Sequence, residues 1–584
     1  MPTTPKLSNP LIVHADRTLA LETYSPLAEE ARGAIAPFVE LEKSPEYLHT
    51  YRITPLSLWN ATSAGMDSKT MLAALERYAK FPVPENVVVD IRELAGRWGR
   101  LRLLDEEGQL VLRVHENDVP LLLELKRHDR VAPLLGASLG PKAVEIPLGH
   151  RGRIKQTLLA LEWPVQDLAG YTDGQRLPIE LGKDLNVRPY QENAAQAFFQ
   201  AGSREGGSGV IVLPPGAGKT IVGLAAMALV GQRTLILTTN RTSVAQWRRE
   251  LLAKTTLTGD IIAEYGPRNK NIAGVTLSTY QMLTSRRRNR SGANAGSASD
   301  SAPTANEEYP HMQLFREHDW GLIIYDEVHL LPAPVFRLTA EIQARRRLGL
   351  TATLVREDGR EGDVFSLIGP KRYDGAWRAL ESEGWIASAS CCEVRVRLSS
   401  EDRMTYATAD PRARFRLAAE NQAKDALVRA ILRFHAGEPT LVIGQYLDQL
   451  ERLAADLNAP LISGDTPQAK REELFDDFRA GRVATLVLSK VGNFALDLPD
   501  AAVMVQVSGA FGSRQEEAQR LGRLLRPKAG GETACFYTLV TRETDEETFG
   551  HNRQRFLTEQ GYTYRIMDEY DWLDPKPRAA RQLN

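Results

Sequence analysis

At 584 residues the chain has room for about three to five domains of ordinary size, so a single small fold is excluded. Its 73 Lys and Arg stand against 74 Asp and Glu, a net charge of −1, so any polyanion must be held by local charge or backbone donors rather than by a global basic field. Hydrophobic residues at 43 % and charged residues at 25 % are ordinary for a globular protein, and the three cysteines, Cys391, Cys392 and Cys535, lack the paired spacing of a zinc site or a disulfide framework.

Such cysteine usage fits a reducing compartment. The segment Met1 to Leu19 holds no apolar stretch of signal-peptide length, and no run of about 18 apolar residues occurs elsewhere. The expectation is a soluble, cytoplasmic protein with no membrane partner.

In the first third, Thr54 followed by Pro55 reads as a helix cap and first helical residue. Asp67 opens a second helix, with Met71, Leu72, Leu75 and Tyr78 at helical spacing. Leu101 to Leu104 and Leu110 to Val114 then form a hairpin around Asp105-Glu106-Glu107-Gly108. Helices followed by a β-ribbon resemble a winged helix; a structural or protein-docking domain is the alternative reading.

From about Asn186 short β-branched runs alternate with amphipathic helices. Val210–Leu213, Thr234–Thr238, Val275–Ser278, Leu322–Tyr325 and Arg347–Leu350 form one series. Thr440–Ile443, Pro460–Ile462, Thr485–Leu488, Val503–Val507 and Cys535–Leu539 form a second. This pattern predicts two tandem α/β domains with parallel sheets. The expected divisions are 1–180 for a mixed α+β N-terminal accessory region, 181–395 and 396–584. Arg286 to Asn306 begins with an arginine run and continues as a Gly, Ala, Ser, Asp and Asn segment, an insert expected to be disordered.

Leu213-Pro214-Pro215-Gly216-Ala217-Gly218-Lys219-Thr220 lies between a buried strand and the helical run Ile221 to Val230, the setting of a phosphate loop. Glycines let backbone N–H groups converge on phosphate oxygens at a helix N-terminus. Lys219 would reach the β and γ phosphates of ATP and Thr220 would ligate Mg²⁺. Leu213 stands where the usual motif has its first glycine.

Asp326-Glu327-Val328-His329 follows the apolar strand Leu322 to Tyr325, where carboxylates face the phosphates across the top of a sheet. Asp326 can hold Mg²⁺, and Glu327 can orient or deprotonate the attacking water. Ser513 to Arg526 reads as a helix with Glu516, Gln519, Arg523 and Arg526 on one stripe. The two arginines are candidate fingers for the transferring phosphoryl group, or alternatively an ordinary salt-bridged surface.

Lys219-Thr220, Asp326 to His329, Thr351-Ala352-Thr353 and Gln519 to Arg526 resemble, in order, motifs I, II, III and VI of superfamily 2 helicases. Arg188-Pro189-Tyr190-Gln191 is similar to the upstream element that contacts the nucleotide base. Leu348 to Asp358, Leu367 to Lys371 and Ser489-Lys490-Val491-Gly492 with Asp497-Leu498-Pro499 resemble the XPB group of DNA repair helicases, and the N-terminal region looks like its bacterial members.

The resemblance implies two RecA-like domains clamping ATP, with 3′-to-5′ helicase activity. It implies cofactor contacts at Arg188, Gln191, Pro215, Gly216, Ala217, Gly218, Lys219, Thr220 and Gln519. Catalytic roles fall to Lys219, Asp326, Glu327, Arg523 and Arg526. For single-stranded and forked DNA, or for coupling, the candidates are Thr239, Arg241, Thr279, His329, Thr351, Thr353, Arg356, Glu357, Asp358, Ser489 and Lys490. Only about Ser399 to Asp425 is available for the thumb-like insertion of some relatives. The alternatives are an RNA helicase, a duplex translocase that does not separate strands, and a nucleotide-dependent DNA clamp or scaffold that recruits a repair nuclease.

Overall fold

The computed structural model describes residues 6–43, 47–169, 173–203, 205–214, 216–283, 285, 311, 314, 319–331, 346–352, 361–375, 380, 381, 383, 385, 389–489, 501–508, 533–548, 550, 557 and 564–573. The Arg286 to Asn306 insert lies outside them. Among the described residues no helix is long and apolar enough to cross a membrane.

The N-terminal region forms two modules. In the first, β1 (Leu11–Val13), β2 (Thr18–Glu22), β3 (Glu40–Lys43) and β4 (Leu48–Arg52) make an antiparallel sheet of order β1-β2-β4-β3. The helices Pro55–Ser63, Ser68–Tyr78 and Glu85–Gly96 bury Leu58, Met71, Leu75 and Ile91 in the same core as this sheet. Their starts follow the cap chemistry: Thr54 Oγ1 accepts from Ser57 N at 3.0 Å and Asp67 Oδ1 from Thr70 N at 2.8 Å.

The hairpin β5 (Leu101–Glu106) and β6 (Gln109–Val114) forms as expected, but it joins a different core. β7 (Ala143–Glu145) pairs with β6 and β8 (Val165–Asp167) with β5, giving the order β7-β6-β5-β8 over the helices Val119–Arg127 and Arg151–Ala160. The winged-helix expectation is therefore corrected. The helices and the ribbon belong to separate hydrophobic cores, because the hairpin finds partner strands 30 to 64 residues downstream rather than the helices before it.

Two seven-stranded sheets follow, and every strand pair in them is parallel. The first contains β9 (Ser208–Val212), β10 (Thr234–Thr238), β11 (Ile262–Glu264), β12 (Val275–Thr279), β13 (Leu322–Asp326), β14 (Arg346–Thr351) and β15 (Lys371–Asp374), in the order β11-β12-β10-β13-β14-β9-β15. The second contains β16 (Ala389–Val396), β17 (Thr440–Ile443), β18 (Leu461–Ile462), β19 (Thr485–Leu488), β20 (Val503–Gln506), β21 (Ala534–Thr541) and β22 (Tyr564–Asp568), in the order β18-β19-β17-β20-β21-β16-β22. Taken strand by strand the two orders are the same path, so the chain builds one RecA-like topology twice.

The central strands of both sheets, such as β10 and β17, read as continuous apolar runs because helices cover both faces. Leu235, Ile236 and Leu237 of β10 and Leu441 and Val442 of β17 are fully buried. β16 belongs to the second sheet, so that unit starts before the boundary expected at 395/396. Likewise Leu177 N donates to Gly231 O at 2.9 Å and Arg176 bridges Gln232, so the chain joins the first α/β unit before 180. Within about Ser399 to Asp425, the stretch available for a thumb-like insertion, the chain forms the helix pair Ser400–Thr408 and Pro411–Ala419 and begins the helix Ala423–Phe434; the first of these buries no residue.

The N-terminal modules lean on the first α/β unit. Asn60 Oδ1 accepts from Lys371 N at 3.0 Å, Gln156 Nε2 donates to Asp363 Oδ1 at 2.9 Å, and Trp98 meets Phe365 edge to face with centroids 5.7 Å apart.

Candidate active site

Parallel strands bring their carboxyl ends to one rim, and the predicted chemistry collects there. β9 ends in the loop that opens the helix Lys219–Val230. Gly218 caps this helix with φ 79° and ψ 43°, a left-handed conformation that favours glycine. A Cβ there would also lie 2.5 Å from Gln191 Nε2. The loop is tied down from behind. Gln191 Nε2 and Tyr190 OH both donate to Ala217 O, at 2.9 and 2.7 Å, and Gln191 Oε1 accepts from Arg188 N at 3.0 Å. Arg188 lies over the Trp385 ring, 5.1 Å from its centroid, and donates to Trp385 O at 3.1 Å.

Across the rim, β13 delivers Asp326 and Glu327. Glu327 has φ 52° and ψ 56°, a left-handed backbone that a non-glycine residue holds only when its surroundings impose it. The result is a carboxylate turned to the phosphate loop: Lys219 Nζ lies 3.4 Å from Glu327 Oε1, and His329 Nδ1 lies 3.6 Å from Glu327 Oε2. His329 Nδ1 is also 2.6 Å from Thr351 Oγ1 at the end of β14, which links the acid strand to the motif III strand.

Burial raises both carboxyls, and their effects then part. Asp326, beside the charge of Glu327, is pushed up to about 6. At Glu327 burial is outweighed by Lys219 and His329, which hold it below the usual carboxylate range. A half-buried pair of like charges on adjacent residues is a setting that a divalent cation relieves.

Two anchoring groups escaped the sequence reading. Trp247 Nε1 donates to Asp326 Oδ2 at 2.9 Å, and Tyr280 OH donates to Asp326 O at 2.8 Å. Trp247 looks in sequence like a core aromatic on the helix Arg241–Lys254, and it is 2 % exposed. Only the fold brings its indole N–H to the acid strand.

The structure thus brings together Lys219, Asp326, Glu327, His329 and Thr351, with Arg188 and Gln191 behind the loop that carries Ala217 and Gly218. Gly216 takes φ 82° in that loop, and Thr220 occupies the second position of its helix. Thr239, Arg241 and Thr279 sit further along the same rim. Asn240 caps the helix Arg241–Lys254 through Ser243 N at 2.9 Å, and Thr279 Oγ1 accepts from Met282 N at 3.2 Å. Ser489 follows β19, the second sheet's counterpart of β12. Pro215, Thr353, Arg356, Glu357, Asp358, Lys490, Gln519, Arg523 and Arg526 lie outside the described residues.

Three family models match the chain: the ERCC3/RAD25/XPB C-terminal helicase over residues 380–582, the type III restriction enzyme res subunit over 184–356, and a helicase conserved C-terminal domain over 11–140. The chain is similar to the DNA 3′-5′ helicase XPB of Kineococcus radiotolerans, with 54 % identity covering 96 % of this chain and 97 % of that one. It is 53 % identical to the protein of the same name from Mycobacterium tuberculosis, over 97 % of this chain and 99 % of the relative. The general transcription and DNA repair factor IIH helicase/translocase subunit XPB/SSL2 of Saccharomyces cerevisiae is 31 % identical over 98 % of this chain and 74 % of its own length. With a phosphate loop facing an acid pair on a duplicated RecA-like topology, and likeness of this extent to such relatives, the chain belongs to the XPB family of DNA helicases.

Proposed function

We propose that this protein hydrolyses ATP to move 3′ to 5′ along one strand of DNA and to separate the duplex during DNA repair. The observation that carries this is the placement of Lys219 and Glu327, 3.4 Å apart, across the rim between a phosphate loop and an acid strand. In this reading backbone N–H groups of 216–218 and Lys219 hold the phosphates, and Glu327 orients the attacking water. Thr220 and Asp326 would hold Mg²⁺, which supplies charge neutralisation at the transferring phosphoryl group. The donor set fits: a hydroxyl and a carboxylate are hard oxygen ligands, and the raised Asp326 pKa reflects burial first and the neighbouring Glu327 charge second, both of which a cation offsets.

Arg523 and Arg526, with Gln519 beside them, would approach the γ-phosphate from the second domain as that domain closes. Thr239, Arg241 and Thr279 on the first domain, with Ser489 and Lys490 on the second, would follow the DNA backbone. Thr353 would pass the state of the site on, and Arg356, Glu357 and Asp358 would act at the duplex junction. We place the protein in the cytoplasm. The yeast relative is named as a subunit of a repair factor, which supports work within an assembly; a repair nuclease is the partner class we propose for the N-terminal modules.

The test is ATP turnover with and without single-stranded DNA, duplex DNA and RNA, over a salt series. DNA should stimulate and RNA should not, and stimulation should fall steeply with salt, since a site touching six or more phosphates loses about a thousandfold in affinity between about 50 and 200 mM. Equal stimulation by RNA, or a flat salt response, would overturn the reading.

A further inference from the structure

The two α/β units follow one path, so each strand of the first has a counterpart in the second. β9 corresponds to β16, β13 to β20 and β14 to β21. The helix Lys219–Val230, between β9 and β10, therefore corresponds to the helix Ala423–Phe434, between β16 and β17. In the first unit Lys219 opens that helix and faces the exit of the acid strand β13. In the second, Lys424 is the second residue of its helix and faces the exit of β20.

The second lysine has no phosphate loop before it. The stretch 397–422 contains no glycine and forms the helix pair Ser400–Thr408 and Pro411–Ala419. Lys424 is wholly buried, a rare setting for a lysine. Its Nζ donates to Glu546 Oε1 and Oε2 at 3.1 and 2.8 Å, to Val507 O at 3.0 Å and to Ala419 O at 3.2 Å. A carboxylate of the chain itself thus faces this lysine, where phosphate is expected at Lys219. Glu546 is buried too, and its Oε2 accepts from Thr541 N at 2.9 Å. Thr541 ends β21 as Thr351 ends β14.

The cluster ties four elements at one point. Ala418 O accepts from Thr541 Oγ1 at 2.7 Å and Ala419 O from Gln449 Nε2 at 2.8 Å, so the last carbonyls of the helix pair are held to the sheet. A cation at that helix end is also favoured by the dipole. Val507 N donates to Ile443 O at 2.9 Å, and Ser508 Oγ accepts from Gln445 N at 2.8 Å, which joins the exits of β20 and β17. From Ser508 the sequence runs into 509–532, which carries Gln519, Arg523 and Arg526. Stability does not call for such a pair, because apolar side chains of the same volume stabilise a core at least as well as a buried ion pair. What the cation supplies is direction: it sets the Val507 carbonyl against fixed acceptors of the helix pair and of β21.

We propose that Lys424 is a positioning residue for ATP hydrolysis, seated in the second unit's counterpart of the phosphate-loop site and neutralised there by Glu546. It fixes the β20 exit from which the arginine-bearing stretch continues. This role depends on Lys219 and Glu327 forming the ATP site.

The test is ATP turnover at saturating DNA, with kcat and KM resolved, beside thermal melting of the full chain, on the parent, Lys424→Met, Glu546→Gln and the double variant. Lys424→Met removes the donor to Val507 O and leaves Glu546 buried without its cation. Glu546→Gln removes the counter-charge but leaves Lys424 on Val507 O. Both should melt lower than the parent, and only loss of the lysine should lower kcat. The expected fall is about 10- to 100-fold, since a misplacement of about 1 Å relayed to the reacting centre can cost about a hundredfold. KM for ATP should stay within about threefold, because the phosphate loop is untouched. The double variant removes both charges, so its melting temperature should return toward the parent's while kcat stays low. Should the double variant fail to fold, the two single variants compared below their melting temperatures still decide. A kcat within twofold of the parent in Lys424→Met, equal losses of kcat in both single variants, or a kcat restored together with the melting temperature in the double variant would each leave Lys424 as packing and overturn the inference. Turnover by Lys219→Ala at the parent's rate would instead overturn the ATP-site reading, and the role of Lys424 with it.

Discussion

Replacing Trp247 by Phe removes the indole N–H that reaches Asp326 Oδ2 at 2.9 Å and keeps an aromatic ring in the same place. The ring is tightly seated: a Cβ on Gly223 would come within 2.5 Å of Trp247 Cη2. The indole therefore holds one rotamer and fixes the direction of the carboxylate. A hydrogen bond to a charged group contributes about 1.5–3 kcal/mol, or roughly 10- to 150-fold, and partners that orient a metal-holding side chain matter by about 10- to 100-fold in affinity or rate. DNA-stimulated turnover should therefore fall by about 10- to 100-fold, with half-saturation moved to higher Mg²⁺. ATP binding measured in EDTA should stay near the parent's, because the phosphate loop is untouched. The smaller ring leaves a void, so the melting temperature falls as well. Steady-state ATPase over a Mg²⁺ series at saturating ATP and DNA, with the EDTA binding measurement beside it, separates the effects. A lower melting temperature with the parent's turnover and Mg²⁺ dependence would refute the reasoning and leave Trp247 as packing alone.

Lys219→Ala and Glu327→Gln should each cut turnover by at least about a hundredfold by removing charge stabilisation or water positioning, and Glu327→Gln should still bind ATP in an equilibrium titration. Gly223→Ala should lower the denaturation midpoint by the equivalent of about 1–3 kcal/mol, because its Cβ meets Trp247 at 2.5 Å and Leu350 at 3.3 Å in a filled core. Asp326, pushed up to about 6 in the fold from an ordinary 3.8, binds its proton more tightly folded than unfolded. Its contribution to the stability of metal-free protein is therefore present below about pH 4 and lost as pH rises through about 6, and Asp326→Asn should flatten that part of a melting-temperature profile. An unchanged profile in the variant would count against the raised value.

Central strands were legible because a strand covered on both faces must be apolar along its whole length. Thr234–Thr238, Thr440–Ile443 and Thr485–Leu488 fall on the expected residues for this reason. The edge strands Ile262–Glu264, Lys371–Asp374 and Tyr564–Asp568 carry charge because one side meets solvent, and they are absent from the expected series, whereas the apolar edge strand Leu461–Ile462 is in it. β16, Ala-Ser-Cys-Cys-Glu-Val-Arg-Val, lies inside the sheet, yet its small and charged residues hide it. The N-terminal hairpin misled for a different reason. Its partners β7 and β8 are distant in sequence, and local order alone assigned it to the helices before it. In the active site the motif residues were visible as spacing, whereas Trp247 and Tyr280, which orient Asp326, depend on contacts 79 and 46 residues apart in the chain.

Strand displacement tests the central claim most directly, with the full chain, ATP and labelled duplexes bearing a 3′ tail, a 5′ tail or blunt ends, and with Lys219→Ala as the control. The account predicts ATP-dependent opening of the 3′-tailed duplex, little opening of the 5′-tailed one, and none with Lys219→Ala. Opening that prefers the 5′ tail, or that proceeds equally with Lys219→Ala, would contradict it.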